Sequence, residues 1–289
     1  MVSAESEIWV TGMSWSTALG ASIDGVWQSL LKGVSGIVDM DTTVALRSNY
    51  GAPIKAIPED WPPQQRQHTL TVDVLSRALH DAGIAADHPE LLPVMATSYG
   101  SHLDQPGFGS LEKWSLAVTE SLDCQNEPIT ITTACSAGSD AIQVGVDLLR
   151  SGFASLCVCG GADVLSLGKR IGHSGLGTLS PSHQLRAFDS KNVGTLLGEG
   201  AAFLVLEHGE HARARGARGH GIILGAGSAN DAANAVAPES SGANVILAVD
   251  RALSAAGRSP SDVAVINAHG SGTSLNDIVE SRAYSKLFK

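Results

Sequence analysis

The apolar positions along this chain change period again and again, and each change predicts an element. Residues 8–11 read as a first buried strand. Between 24 and 32, Val26, Leu30 and the Trp27–Leu31 pair recur at helical spacing, and Gly33 supplies a stop. Over 69–81, Leu70, Val74, Leu75, Ala78 and Leu79 share one helical face that ends at Gly83. A strand follows at 92–98, a helix at 111–122, a strand at 129–133 and a helix at 137–150. Apolar runs at 156–160 and 201–206 complete a set of five strands. Strands alternating with helices at this spacing predict an α/β chain with helices covering a mixed sheet.

A second unit starts near Gly221. Its expected elements are a strand at 222–226, a helix at 243–256, a strand at 263–267 leading to His269, and a helix at 277–288. The chain therefore divides into 1–220 and 221–289. Ser35-Gly36, the segment 58–63 and the Ala-, Asn- and Ser-rich segment 228–242 read as loops.

Composition narrows the class. The 289 residues are 43% hydrophobic and include 32 glycines, which suits a globular α/β protein with many tight turns. The net charge of −10 argues against nucleic acid as a partner. Arg150 and Asp163 interrupt the best apolar stretch, so no membrane span is expected. The N-terminus, Met-Val-Ser-Ala-Glu-Ser-Glu, lacks the basic start of a signal peptide. The cysteines at 124, 135, 157 and 159 fit no zinc spacing, and Cys157-Val-Cys159 is too tight for a redox C-x-x-C pair. A reducing, cytoplasmic setting is the expectation.

Cys135 carries the candidate chemistry. It ends a β-branched run and begins a small-residue helix in Thr132-Thr-Ala-Cys-Ser-Ala-Gly138. A thiol at a strand-to-helix turn faces the positive end of the helix dipole, which favours the thiolate. The small residues after it leave room for a substrate. The competing reading is a buried structural cysteine, since free Cys packs like a small hydrophobe.

The motifs around Cys135, followed by Leu149-Arg-Ser-Gly152 and Cys159-Gly-Gly-Ala-Asp163, resemble the nucleophile region of the β-ketoacyl-acyl-carrier-protein synthases. Further blocks match in the same order. They are Val10-Thr-Gly-Met13, the segment 27–37, Arg186-Ala-Phe-Asp189, Gly198-Glu-Gly-Ala201 and Asn267-Ala-His-Gly-Ser-Gly-Thr273 with Asn276, Asp277 and Glu280. The resemblance implies a thiolase-like layered fold (α-β-α-β-α), its first half complete and its second truncated. It also implies that the strand before Cys135 pairs across a dimer axis. Read as complete at residue 289, the chain is expected to lack the lysine-containing Gly-His segment, the second histidine and the glycine-rich oxyanion loop of that family. Missing strands are expected to leave apolar surface for a partner chain.

The resemblance also implies roles. Cys135 is the nucleophile, with its own backbone N–H as an oxyanion donor. His269 donates to the thioester carbonyl. Ser271 and Thr273 stand where threonines contact the pantetheine arm. Glu199 and Asp277 are read as structural, as turn and helix-cap partners. The Asn192-Val193-Gly194 stretch departs from the Arg-Asp usual before that glycine, which weakens a charged network there. Acyl chains would arrive on the phosphopantetheine of an acyl carrier protein, with no metal and no resident cofactor. Such docking on an acidic chain needs a local basic patch. Arg213, Arg215 and Arg218 form one, although arginines in a last helical turn equally serve the dipole.

Three functions follow from the resemblance. The expected one is a chain-length-factor-like subunit paired with a full-length ketosynthase in fatty-acid or polyketide-type elongation. Another is an active 3-oxoacyl-carrier-protein synthase, alone or as a homodimer. The last is an acyl-thioester transferase or hydrolase using Cys135 with His269 as base.

Overall fold

The computed structural model describes residues 7–104, 109–234 and 237–288. Residues 1–6, which carry most of the N-terminal stretch read for a signal peptide, lie outside it, as do 235–236 within the loop expected at 228–242.

β6 (Leu156–Asp163) runs through the middle of a six-stranded sheet and is covered on both faces. Leu156 and Val158 face one core, and Cys157 and Cys159 face the other, as the two-residue period of a strand dictates. Parallel to β6 lies β4 (Leu91–Ala96), and parallel to β4 lies the edge strand β5 (Ile129–Ile131). On its other side β6 pairs antiparallel with β7 (Gly200–His208), which pairs antiparallel with β1 (Ile8–Thr17). β8 (Gly221–Ile223) closes the order β5-β4-β6-β7-β1-β8.

One face of the sheet is covered by α2 (Pro63–Ala82), which buries Leu70, Val74, Leu75, Ala78 and Leu79. Fully burying a leucine or valine side chain contributes roughly 1.5–3 kcal/mol. The helix ends at Gly83 in the left-handed region, φ +67°. The opposite face is covered by α4 (Ala137–Arg150), through Ala137, Ala141, Val146 and Leu149. A Cβ at Gly145 would lie 2.2 Å from Cys159 Sγ, so glycine there sets how closely α4 sits on β6. α3 (Lys113–Ser121) occupies the helix predicted at 111–122.

Several expectations need correction. β1 runs to Thr17 instead of ending at Thr11, through a register shift between Val10 and Gly12. Gly12 and the serines after it hid the continuation, which β7 supports by backbone hydrogen bonds rather than by side chains. The expected strand at 222–226 is regular only to Ile223, and it joins the first sheet by pairing with Ile8–Val10. Residues 263–267 were expected as a strand, yet they have no ladder partner among the described residues. Val265 there is 82% exposed. An apolar β-branched run becomes a strand only when a neighbour takes up its backbone groups.

The pattern also missed α5 (Leu167–Gly175) and the small pair β2 (Val38–Asp39) and β3 (Tyr50–Gly51), whereas the helical turn read at the arginines before Gly216 forms as α6 (Gly209–Ala214). α1 (Ile23–Leu31) forms where predicted, but it buries only Val26 and leaves Trp27, Leu30 and Leu31 exposed. α7 (Ala243–Ala256) and α8 (Ser274–Leu287) pack on each other in the C-terminal segment.

Glu199 ties the first unit together. It forms a buried ion pair with Arg66 at 2.5 Å and accepts the Ile54 N–H at 2.8 Å and the Leu165 N–H at 3.1 Å. The expected structural role therefore takes the form of a buried crosslink between α2, β7 and two loops.

Candidate active site

β5 delivers the chain to a single 3-10 turn, Ala134–Ser136, from which α4 starts. Ala134 holds φ +57°, a left-handed conformation that costs an alanine about 1 kcal/mol or more. Asp140, in the first turn of α4, accepts hydrogen bonds from the Thr133 hydroxyl and, at 2.8 Å, from Ser136 Oγ. Ser136 Oγ also donates to the Thr133 carbonyl at 3.0 Å. Cys135 thus sits on a sharp bend whose two sides are pinned to one carboxylate. The sequence signal for this arrangement is a serine, Ser136, followed four residues later by an aspartate, Asp140, at a helix start.

Cys135 is exposed, whereas Cys157 and Cys159 are buried and Cys124 is half-buried. Burial and the neighbouring Cys157 thiol push the Cys159 thiol well up, which keeps it an inert core group. The bland alternative for Cys135, a buried structural cysteine, is excluded by its exposure. A cavity of about 600 Å³ opens beside it, floored by Gly160, Gly161, Ala201 and Ala202 of the two central strands. Its lining also includes Thr97, Ser98, Asp163 and Lys169, of which the sequence analysis named only Asp163, as the end of a motif.

His269 lies on an exposed loop after the unpaired segment 263–267 and is not among the residues lining that cavity. The loop is held from α8. Glu280 accepts the backbone N–H groups of His269 and Gly270, both at 2.8 Å, and also the Asn276 amide and the Tyr284 hydroxyl. Burial alone would raise the Glu280 pKa, but these bonds, led by Gly270 and His269, hold the carboxyl below its usual range. Burial, and then Glu280 itself, push the Tyr284 phenol upward.

Asp277 anchors the other side. It accepts the Gly272 N–H at 3.2 Å, the Phe188 N–H at 2.8 Å and the Asn192 side-chain amide at 2.9 Å. Asn192 also accepts from Ser274 Oγ at 3.0 Å. The departure at 192 therefore leaves an amide-to-carboxylate hydrogen bond between the central loop and the helix that holds the histidine loop. Phe188, at φ +59°, lies against Gly270. Gly272 has φ +75°, and a Cβ on it would lie 2.7 Å from Leu185 Cδ1 and 2.9 Å from the Gly194 carbonyl. Only glycine suits that position. Ser271 Oγ and Thr273 Oγ1 bond each other at 2.8 Å, so the two hydroxyls predicted to meet a substrate face one another on the half-buried rim of this loop.

Of the three arginines expected to form a basic patch, Arg213 and Arg215 are committed locally, and Arg218 is exposed. Arg215 pairs with the buried Glu207 at 2.5 Å and donates to the Ala82 carbonyl, and Arg213 pairs with Glu7 and stacks over Trp9. Among the described residues, no group of three His, Cys, Asp or Glu could hold a metal ion, and no helix is long and apolar enough to cross a membrane.

Residues 5–212 match the family model described as beta-ketoacyl synthase, N-terminal domain, and residues 220–289 match that of the C-terminal domain. The chain is 31% identical over 315 aligned positions to nodulation protein E of Rhizobium leguminosarum bv. trifolii, covering 96% of this chain and 77% of that protein. It is 29% identical to the tetracenomycin polyketide synthase ketoacyl synthase alpha subunit of Streptomyces glaucescens, covering 98% and 76%. Among solved structures, a beta-ketoacyl synthase from Burkholderia phymatum STM815 superposes with a TM-score of 0.86 at 28% identity, over 98% of this chain and 78% of that one. The ishigamide ketosynthase/chain length factor superposes with a TM-score of 0.87 at 28% identity, over 98% and 77%.

Proposed function

Because the chain belongs to the beta-ketoacyl synthase family, we propose that it holds an acyl group on Cys135 during fatty-acid or polyketide chain elongation, as the chain-length-factor-like partner of a full-length ketosynthase. The observation that carries this reading is the placement of Cys135: exposed, on a pinned bend at the start of α4, and open to a cavity floored by small residues. The Cys135 thiolate attacks the carbonyl carbon of an incoming thioester. The new S–C bond forms as the bond to the carrier's phosphopantetheine sulfur breaks, and that thiolate leaves. The Cys135 N–H at the start of α4 supplies one donor to the oxyanion, and His269, on its held loop, serves the carbonyl of the condensing thioester. Ser271 and Thr273 are assigned to the pantetheine arm, which requires them to trade their mutual hydrogen bond for one to the substrate.

Two features support a partner chain. Residues 263–267 offer backbone groups that no neighbouring strand takes up among the described residues, and Val265 and Ile266 within them are exposed. A neighbour in the solved structures is itself a ketosynthase/chain length factor. The domain division proposed at 220/221 places Cys135 in the first unit and His269 in the second.

The second reading is a synthase active by itself. It is favoured by the histidine loop, which Glu280 and Asp277 hold without help from another chain. Incubating the purified chain with an acyl-loaded carrier protein, then measuring intact mass, tests both. An acyl adduct that Cys135→Ala abolishes, with no carbon dioxide released from malonyl-carrier until a ketosynthase is added, supports the partner reading. Release by the chain alone favours the active synthase, and no adduct under any condition overturns both.

A further inference from the structure

The cavity beside Cys135 is not uniformly apolar. Part of its lining is a connected polar group. The Lys169 ammonium donates to Ser98 Oγ. Ser98 Oγ donates to Asp163 Oδ1 at 2.8 Å, and Thr97 Oγ1 donates to the same oxygen at 3.0 Å. The Ser98 backbone N–H reaches both Asp163 oxygens, at 3.1 and 3.0 Å.

The fold builds Lys169 into this place. α5 starts from Ser166, whose hydroxyl accepts the Lys169 N–H at 3.2 Å and donates to the Gly100 carbonyl at 2.6 Å. The lysine stem lies over Gly100, where a Cβ would come within 2.7 Å of Lys169 Cδ. A side chain at residue 100 would displace the ammonium from Ser98.

We propose that the Lys169–Ser98–Asp163 wall selects the acyl group held on Cys135, accepting short chains and chains that carry an oxygen acceptor, and rejecting long saturated ones. This rests on the reading that Cys135 carries an acyl group. An ammonium has three donors. Among the described residues only Ser98 Oγ accepts from this one, so donors remain for a hydroxyl, keto or carboxylate oxygen of the bound chain. A saturated tail offers no acceptor. It would strip water from the ammonium and from the Asp163 carboxylate and return nothing. Sites built to bond a substrate oxygen discriminate strongly against analogues without it.

Acylation of the full chain by N-acetylcysteamine thioesters, followed by intact mass, tests the proposal. In each reaction the Cys135 Sγ–acyl bond forms, the acyl–sulfur bond of the donor breaks, and N-acetylcysteamine leaves carrying the proton lost by Cys135. The probes are acetyl, succinyl and decanoyl thioesters. The wild-type chain is expected to load acetyl and succinyl at least about tenfold faster than decanoyl, and Lys169→Met to raise the decanoyl-to-acetyl ratio by about tenfold. Wild-type loading of decanoyl at the acetyl rate overturns the proposal without reference to any variant. An unchanged ratio in a Lys169→Met chain that retains the wild-type circular dichroism overturns it as well. Loading by none of the three thioesters, with Cys135 still alkylated by iodoacetamide, instead overturns the acyl-carrying reading on which the proposal stands.

Discussion

Glu280 accepts the backbone N–H of His269 at 2.8 Å across eleven residues of chain, and it does so from the second turn of a helix that packs beneath the loop. The histidine is placed by its main chain, and the residue is exposed.

That relationship predicts an acid sensitivity. The folded-state pKa of Glu280 is depressed, so its stabilising contribution is fully present above the unfolded value of about 4.3 and is lost as pH falls below it through the folded value. Hydrogen-exchange protection of the His269 and Gly270 amides should fall as pH drops below about 4.3. Glu280→Gln should remove most of that dependence and cost about 1–3 kcal/mol at neutral pH. The same acid profile in the variant would show that another group holds the loop.

Glu199 and Arg66 are both buried in their ion pair. Glu199→Gln leaves a buried guanidinium without its counter-charge, and the expected loss is about 3–5 kcal/mol in urea unfolding. A loss below about 1 kcal/mol, in the range of exposed pairs, would mean that water reaches the site.

Ala134 makes the bend before Cys135 in a conformation that disfavours a Cβ. Ala134→Gly should leave stability within about 1 kcal/mol of wild type, the relief of strain being offset by the freer unfolded chain. Ala134→Val should destabilise by about 1–3 kcal/mol. Equal stabilities for the valine and glycine variants would contradict a left-handed residue 134.

Cys135 is exposed and forms no disulfide. Cys135→Ala should change the unfolding free energy by no more than about 0.5 kcal/mol while abolishing every acyl adduct. A large loss of stability would restore the structural reading of this cysteine.

Much of this could be read along the chain. The face of α2 was legible because Leu70, Val74, Leu75, Ala78 and Leu79 repeat at the helical period, and the core takes up that stripe as it stands. The β5–Cys135–α4 turn was legible because β-branched residues give way to small ones at one point. The motif block around His269 was legible as a block, and its family membership follows from the residues alone.

Other features were decided only by tertiary structure. Whether residues 263–267 form a strand depends on a neighbour's backbone, which no local pattern encodes. β1 passes Thr11 because β7 lies beside it and supplies the ladder. Lys169 and Ser98 are 71 residues apart, and both read singly as ordinary polar positions. They become one wall of the Cys135 cavity because α5 starts against Gly100. Local sequence sets which conformations are cheap for each segment. Long-range contact decides which polar groups share a space, since that depends on packing distances rather than on residue order.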